Sequence, residues 1–115
     1  MQYMLMICGV EGDESNALED NPGYTIEEWV QETTRRGVRL QGDRLRPPAD
    51  ATMVRVRRGE VLISDGPFAE TKEQMYGYDL LDCADLDEAI EIASKHPMAR
   101  AGMIEVRPVW PIDEE

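Results

Sequence analysis

The sequence is poor in cations. Its 115 residues carry 12 Lys and Arg against 24 Asp and Glu, a formal net charge of −12. A surface that tracks phosphates needs clustered cations to release counterions, so the two-fold excess of anions argues against nucleic-acid binding and against docking on anionic lipid. Cysteine and histidine are almost missing: Cys8, Cys83 and His96 are all there is. Three such residues cannot complete a four-ligand structural zinc site without carboxylates or a second chain. A secreted disulfide scaffold would be shorter and richer in cysteine. Both cysteines lie in apolar runs and read as small core residues. Long hydrophobic runs are missing too, and nothing approaches the roughly 18–20 apolar residues of a membrane-spanning helix. The apolar stretch Met1–Gly9 lacks a basic n-region and a small-residue cleavage pattern, so it is expected to be the first strand of a mature cytoplasmic protein. There is no Gly-rich phosphate loop, nucleophile elbow or metal-protease helix, and no metal or cofactor is expected.

What is present is an ordinary globular composition, 42% apolar and 31% charged, of a length that predicts one domain over residues 1–115. Tyr3–Cys8 is nearly continuously apolar and predicts a strand. A polar loop follows, with Glu11, Asp13, Glu14, Glu19 and Asp20, closed by Pro22-Gly23. Its carboxylates match no ordered ligand spacing and read as solvated. Thr25-Ile26-Glu27-Glu28 is a capping box, and Ile26, Trp29, Val30 and Thr33 define one helical face. Arg35 and Arg36 suit the negative end of this helix, and Gly37 the left-handed residue beyond it.

Val38–Leu45 predicts a strand with Val38 and Leu40 on one face and Arg39 and Gln41 on the other. Pro47-Pro48 interrupts regular structure. Thr52–Arg57 alternates, Val54 and Val56 against Arg55 and Arg57. Arg58-Gly59 is a tight-turn signal, and Glu60–Ser64 completes a hairpin. Met75–Cys83 predicts a strand with Tyr76, Tyr78 and Leu80 on one face. A second helix opens at Asp85, with Leu86, Ala89, Ile90 and Ala93 as its apolar stripe and Pro97 as its stop. Met103–Val109 predicts the final strand.

This order, β-α-β, a hairpin, then β-α-β, predicts an α+β ferredoxin-like fold: an antiparallel sheet with two helices on one face. The other sheet face is left open. Met4, Met6, Glu105, Arg107 or the Tyr76/Tyr78 row would lie there, and an apolar open face is most simply covered by a second copy, sheet on sheet.

One segment is unlike ordinary hairpin sequence: Asp65-Gly66-Pro67-Phe68-Ala69-Glu70-Thr71-Lys72-Glu73. With it the chain resembles the YCII-related proteins of the DGPF group. Tyr3-Met4-Leu5, Val54-Arg55-Val56-Arg57 with Gly59, Val61 and Leu62, Leu86-Asp87-Glu88-Ala89, and Val106-Arg107-Pro108 look like the same family, so the resemblance runs over nearly the whole chain. It implies a dimeric α/β barrel of ferredoxin-like protomers from a bacterium. Shorter YCII relatives are suspected of a His–Asp mechanism. This chain departs from them, with no histidine in or before the first helix and His96-Pro97 where those relatives have Asp-Pro. The resemblance to DGPF proteins also implies association in trans with an extracytoplasmic-function sigma factor, because no sigma-like domain is present.

The residues around the motif point to a small-molecule cleft. Asp65 suits a general acid or base if it is buried, and equally a turn before Gly66. Lys72 suits an anionic ligand or a solvated place between Glu70 and Glu73. Phe68, the one phenylalanine, suits a pocket wall or an interface plug. Tyr76 and Tyr78 suit pocket hydroxyls or simple packing. Arg55, sharing a face with Arg57, suits a carboxylate or phosphate ligand, or pairing with neighbouring carboxylates. His96 suits the end of a helix. The expected function is therefore a homodimeric small-molecule-binding protein with acid–base chemistry at Asp65. The alternative is a regulatory module whose acidic surface docks a basic partner.

Overall fold

The computed structural model describes residues 1–10, 24–66 and 73–113. The elements in chain order are β1 (Gln2–Val10), α1 (Ile26–Arg35), β2 (Arg39–Arg44), a 3-10 turn (Pro48–Asp50), β3 (Thr52–Arg57), β4 (Glu60–Asp65), β5 (Glu73–Asp82), α2 (Leu86–Lys95), α3 (Met98–Ala101) and β6 (Met103–Pro108). Four strands form one sheet in the order β2-β5-β1-β6, every neighbouring pair antiparallel. This is the predicted split β-α-β arrangement, and the fold is α+β and ferredoxin-like. β3 and β4 pair only with each other.

Helix starts follow the sequence signals. Thr25 Oγ1 accepts from the Glu28 amide at 3.2 Å, and Asp85 Oδ1 accepts from the Glu88 amide at 2.9 Å. In the first box the reciprocal bond runs from the Thr25 hydroxyl to the Glu28 carboxylate, at 3.4 Å. In the second, Glu88 Oε1 accepts from the Ala84 amide at 2.8 Å. Gly37 takes a φ of 74° beyond α1. The Arg58-Gly59 turn has φ of 52° and 79°, the pair of positive values that a two-residue hairpin turn requires.

One core lies between the helices and a single face of the sheet. It gathers Tyr3, Leu5 and Ile7 of β1, Trp29 of α1, Val38, Leu81 and Cys83, and Ala89, Ile92 and Ala93 of α2. The helices are tied across their outer surface by Arg36 to Glu88 (3.9 Å) and Glu91 (3.8 Å), and by Lys95 to Glu32 (3.9 Å).

Two expectations are corrected. On α2 the buried stripe is Ala89, Ile92 and Ala93, while Leu86 and Ile90 are exposed. Trp29 decides this rotation, because its indole Nε1 donates to the Ile92 carbonyl at 3.0 Å. Pro97 stops α2 as expected, with His96 extended before it, and it also opens α3, the short helix leading to β6. At β2 the predicted alternation breaks: Val38 and Arg39 both turn inward, and Leu40 and Gln41 are both exposed. A register shift between Arg39 and Gln41 leaves Leu40 exposed and pairs Arg39 with the core residue Leu81. A second shift, between Ile7 and Cys8, falls opposite Tyr76.

Candidate functional site

The predicted site residues are divided between two sheets. Arg55 and Asp65 lie on the β3–β4 hairpin, both exposed, with Asp65 opposite Thr52. Gly66 follows with a φ of 87°, the left-handed turn expected of the glycine in the motif, and its amide donates to the Ala51 carbonyl at 2.7 Å. Tyr76 and Tyr78 are half-buried on β5. Tyr78 pairs with Met6 and Leu80 with Met4, so these four share the face away from the helices. Tyr76 sits at the register shift, its ring edge 3.7 Å from where a Cβ on Gly9 would stand. Phe68 and Lys72 lie outside the described residues. Arg55, Arg57 and Arg58 form no ion pair among the described residues, so the expected pairing with neighbouring carboxylates is not made there.

Beneath the helices lies a polar group that the sequence reading did not single out. Asp79 pairs with Leu5 in the middle of the sheet and is buried. Arg39 Nε donates to Asp79 Oδ1 at 2.8 Å, and Arg39 Nη2 to the Gly42 carbonyl at 2.8 Å. Gly42 makes room for this pair: a Cβ there would collide with Asp79 Oδ1 and stand 2.8 Å from Arg39 Nη2. Burial pushes the Asp79 carboxyl above the usual aspartate range, and Arg39 offsets part of that push. The signal was in the alternation of β5. Gly77, Asp79 and Leu81 take the inward parity, and a charge on that parity of a central strand demands a partner. The partner was hidden because the shift at Leu40 turns Arg39 inward.

His96 is buried beside this group. Its ring meets Trp29 edge-on at 4.6 Å between centroids, and Nδ1 accepts from the Met98 amide at 3.0 Å. An imidazole accepting at Nδ1 is neutral, with its proton on Nε2. Burial, with the Arg39 charge adding to it, pushes its pKa down to about 4. The cation-at-a-helix-end role expected for His96 is thereby replaced by a neutral core role. Cys83 is buried as well, and burial raises its thiol pKa, which makes it a poor nucleophile.

A cleft of about 320 Å³ opens at the helix layer, lined by Tyr24, Glu32, Lys95 and Arg100. The Tyr24 hydroxyl donates to Glu32 Oε2 at 2.7 Å. Burial and this bond raise the phenol to about 12, and the same bond holds the Glu32 carboxyl below its usual range. Lys95 lies 3.5 Å from Glu91 and 3.9 Å from Glu32, while Arg100 has no ion pair among the described residues. The wall thus offers a guanidinium, an ammonium and an ionised carboxylate. No His, Cys, Asp and Glu side chains gather in threes as a metal would need, and no helix is long and apolar enough to cross a membrane, among the described residues.

The family profile of the YCII-related domain matches residues 1–113. The chain belongs to the YCII-related family. An uncharacterised protein of Rhizobium meliloti is 48% identical over 68 residues, which cover 57% of this YCII-related chain and 55% of the relative. The chain thus spans about half the length of that relative.

Proposed function

We propose that this YCII-related protein, of the DGPF group within that family, is a cytoplasmic homodimer that binds a small organic molecule. The observation that carries the binding reading is the cleft of Tyr24, Glu32, Lys95 and Arg100. It is an open depression of about 320 Å³, and what it offers a ligand is its side chains rather than enclosure. Arg100 and Lys95 suit a carboxylate or phosphate on the ligand, and the ionised Glu32 suits a hydroxyl or amine beside it. The motif supplies the second half of the reading: Asp65, exposed on the hairpin of a single protomer, does acid–base work with Lys72 or a tyrosine once a bound ligand covers it. The homodimer is supported by Met4, Met6, Cys8, Tyr78 and Leu80, half-buried on a sheet face that no helix covers.

The test is a thermal-shift screen of organic acids and sugar phosphates on wild type, Arg100→Ala and Asp65→Ala. A stabilising compound whose effect disappears in Arg100→Ala supports the helix-layer cleft. One whose effect disappears in Asp65→Ala supports the motif. A screen with no stabilising compound, or with hits indifferent to both substitutions, overturns the binding reading. The regulatory alternative rests on the net charge of −12. It is favoured instead if a stoichiometric basic partner, a sigma factor among the candidates, is captured at low salt and released at high salt.

A further inference from the structure

The β3–β4 hairpin contributes no residue to the core. Val54 pairs with Ile63 and Val56 with Val61, so these four side chains share one face of the hairpin. They are 59%, 68%, 56% and 62% exposed respectively. Two-stranded hairpins are marginal in water unless a further strand or layer covers an apolar face. Four clustered aliphatic side chains at such exposure are a surface built to be covered.

The charge pattern says by what. Arg55, Arg57 and Arg58 against Glu60 and Asp65 give the segment Thr52–Asp65 a net charge of +1, within a chain of −12, so the remainder carries −13. None of the three arginines finds an ion pair among the described residues of its own protomer. A basic, apolar arm on an acidic body is complementary to a second copy of that body. Four aliphatic side chains are far fewer than the roughly 20–30 residues that each side of a stable interface presents. The arm therefore acts together with another surface, and the open sheet face with Met4, Met6, Cys8, Tyr78 and Leu80 supplies it.

We infer that the β3–β4 hairpin is an exchanged arm: in the homodimer each protomer lays Val54, Val56, Val61 and Ile63 onto its partner, with Arg58 at the turn meeting the partner's carboxylates and Arg55 and Arg57 on the opposite face of the arm. This rests on the homodimer proposed above and goes beyond it.

The test pairs sedimentation equilibrium with amide hydrogen exchange on the full chain. Wild type is expected to be a dimer, with the amides of 52–65 protected at high protein concentration and exposed on dilution. Val56→Asp and Ile63→Asp are expected to weaken the dimer by tenfold or more while far-UV circular dichroism stays native, because neither side chain is in the core. Raising salt is expected to weaken wild type more than an Arg58→Gln variant. A dimer as tight in Val56→Asp and Ile63→Asp as in wild type, with 52–65 unprotected at every concentration, overturns the arm and leaves the dimer standing. Protection that appears only on anionic phospholipid vesicles overturns it in favour of a membrane surface. A wild type that is monomeric throughout overturns the dimer and the arm with it, and a dimer that Met6→Arg leaves intact while the arm variants dissociate it upholds the arm and removes the sheet face.

Discussion

At the residue scale, the buried ion pair and the buried histidine are the exacting features of this chain. Arg39 is attached to Asp79 at 2.8 Å with both side chains largely out of water. Removing one partner strands the other charge, so Arg39→Ala is expected to cost roughly 3–5 kcal/mol in urea unfolding. The double variant Arg39→Met/Asp79→Leu removes both desolvation penalties and is expected to recover most of that loss. A double variant as unstable as the single would mean that the pair does more than compensate its own burial. His96 makes the molecule sensitive to acid. Its pKa falls from an ordinary 6.5 to about 4 in the folded protein, so over that interval the unfolded chain binds the proton and the folded one does not. Its contribution is complete above pH 6.5 and is lost as pH falls toward 4, by about 3 kcal/mol in all. Asp79 works in the opposite sense at the acid end of that window, because its raised pKa lets the folded state take up its proton first. Urea unfolding of wild type and His96→Asn across pH 4–7 separates the two: the variant is expected to lose the slope between pH 5 and 6.5.

At the scale of elements, the ends of helices were more legible than their faces. Thr25 and Asp85 announce α1 and α2 because an N-cap needs only its own side chain and the amide three residues on. Asp85→Ala is expected to cost about 1–2 kcal/mol and Thr25→Ala about 1 kcal/mol or less, read by thermal or urea unfolding. The order follows from the caps themselves: Asp85 offers a carboxylate to the positive end of α2 and accepts at 2.9 Å, whereas Thr25 offers a neutral hydroxyl that accepts at 3.2 Å. Equal losses would show that the cap charge contributes little. The face of α2 was ambiguous for a clear reason. Leu86, Ala89, Ile90 and Ala93 fit a helical stripe, and so do Ala89, Ile92, Ala93 and His96. The second set ends on a histidine and so looks polar, yet it is the buried one, because Trp29 offers that histidine a ring and bonds the Ile92 carbonyl. The alternation of β2 failed in the same way. Period-two counting has no means of seeing an extra residue, and Leu40 is that residue.

At the scale of the whole molecule, the chain extends over 50 × 40 × 19 Å with a Cα radius of gyration of 16.2 Å. A compact domain of this length would have a radius of about 13 Å. A hairpin that joins no core is consistent with that excess. The net charge, read first as an argument against nucleic acid, is also unevenly spread. The hairpin is its basic exception, and the cleft at the helix layer holds Lys95 and Arg100. An acidic total is therefore compatible with an anionic small molecule, and with a second acidic copy against the arm.

Local sequence carries the order of elements, the antiparallel ferredoxin-like sheet, the two capped helices, the turn at Arg58-Gly59 and membership of the YCII-related family. All of these depend on periodicity, caps and turns, which act over a few residues. Only the tertiary structure decided that Arg39 and Asp79 meet, that His96 is buried and neutral, that Ile92 rather than Ile90 faces the core, and that Tyr24, Glu32, Lys95 and Arg100 share one cleft. Those residues come together across 40 positions in the first case and across separate helices in the others. Their meeting is set by register shifts and by a single tryptophan, which local pattern does not encode.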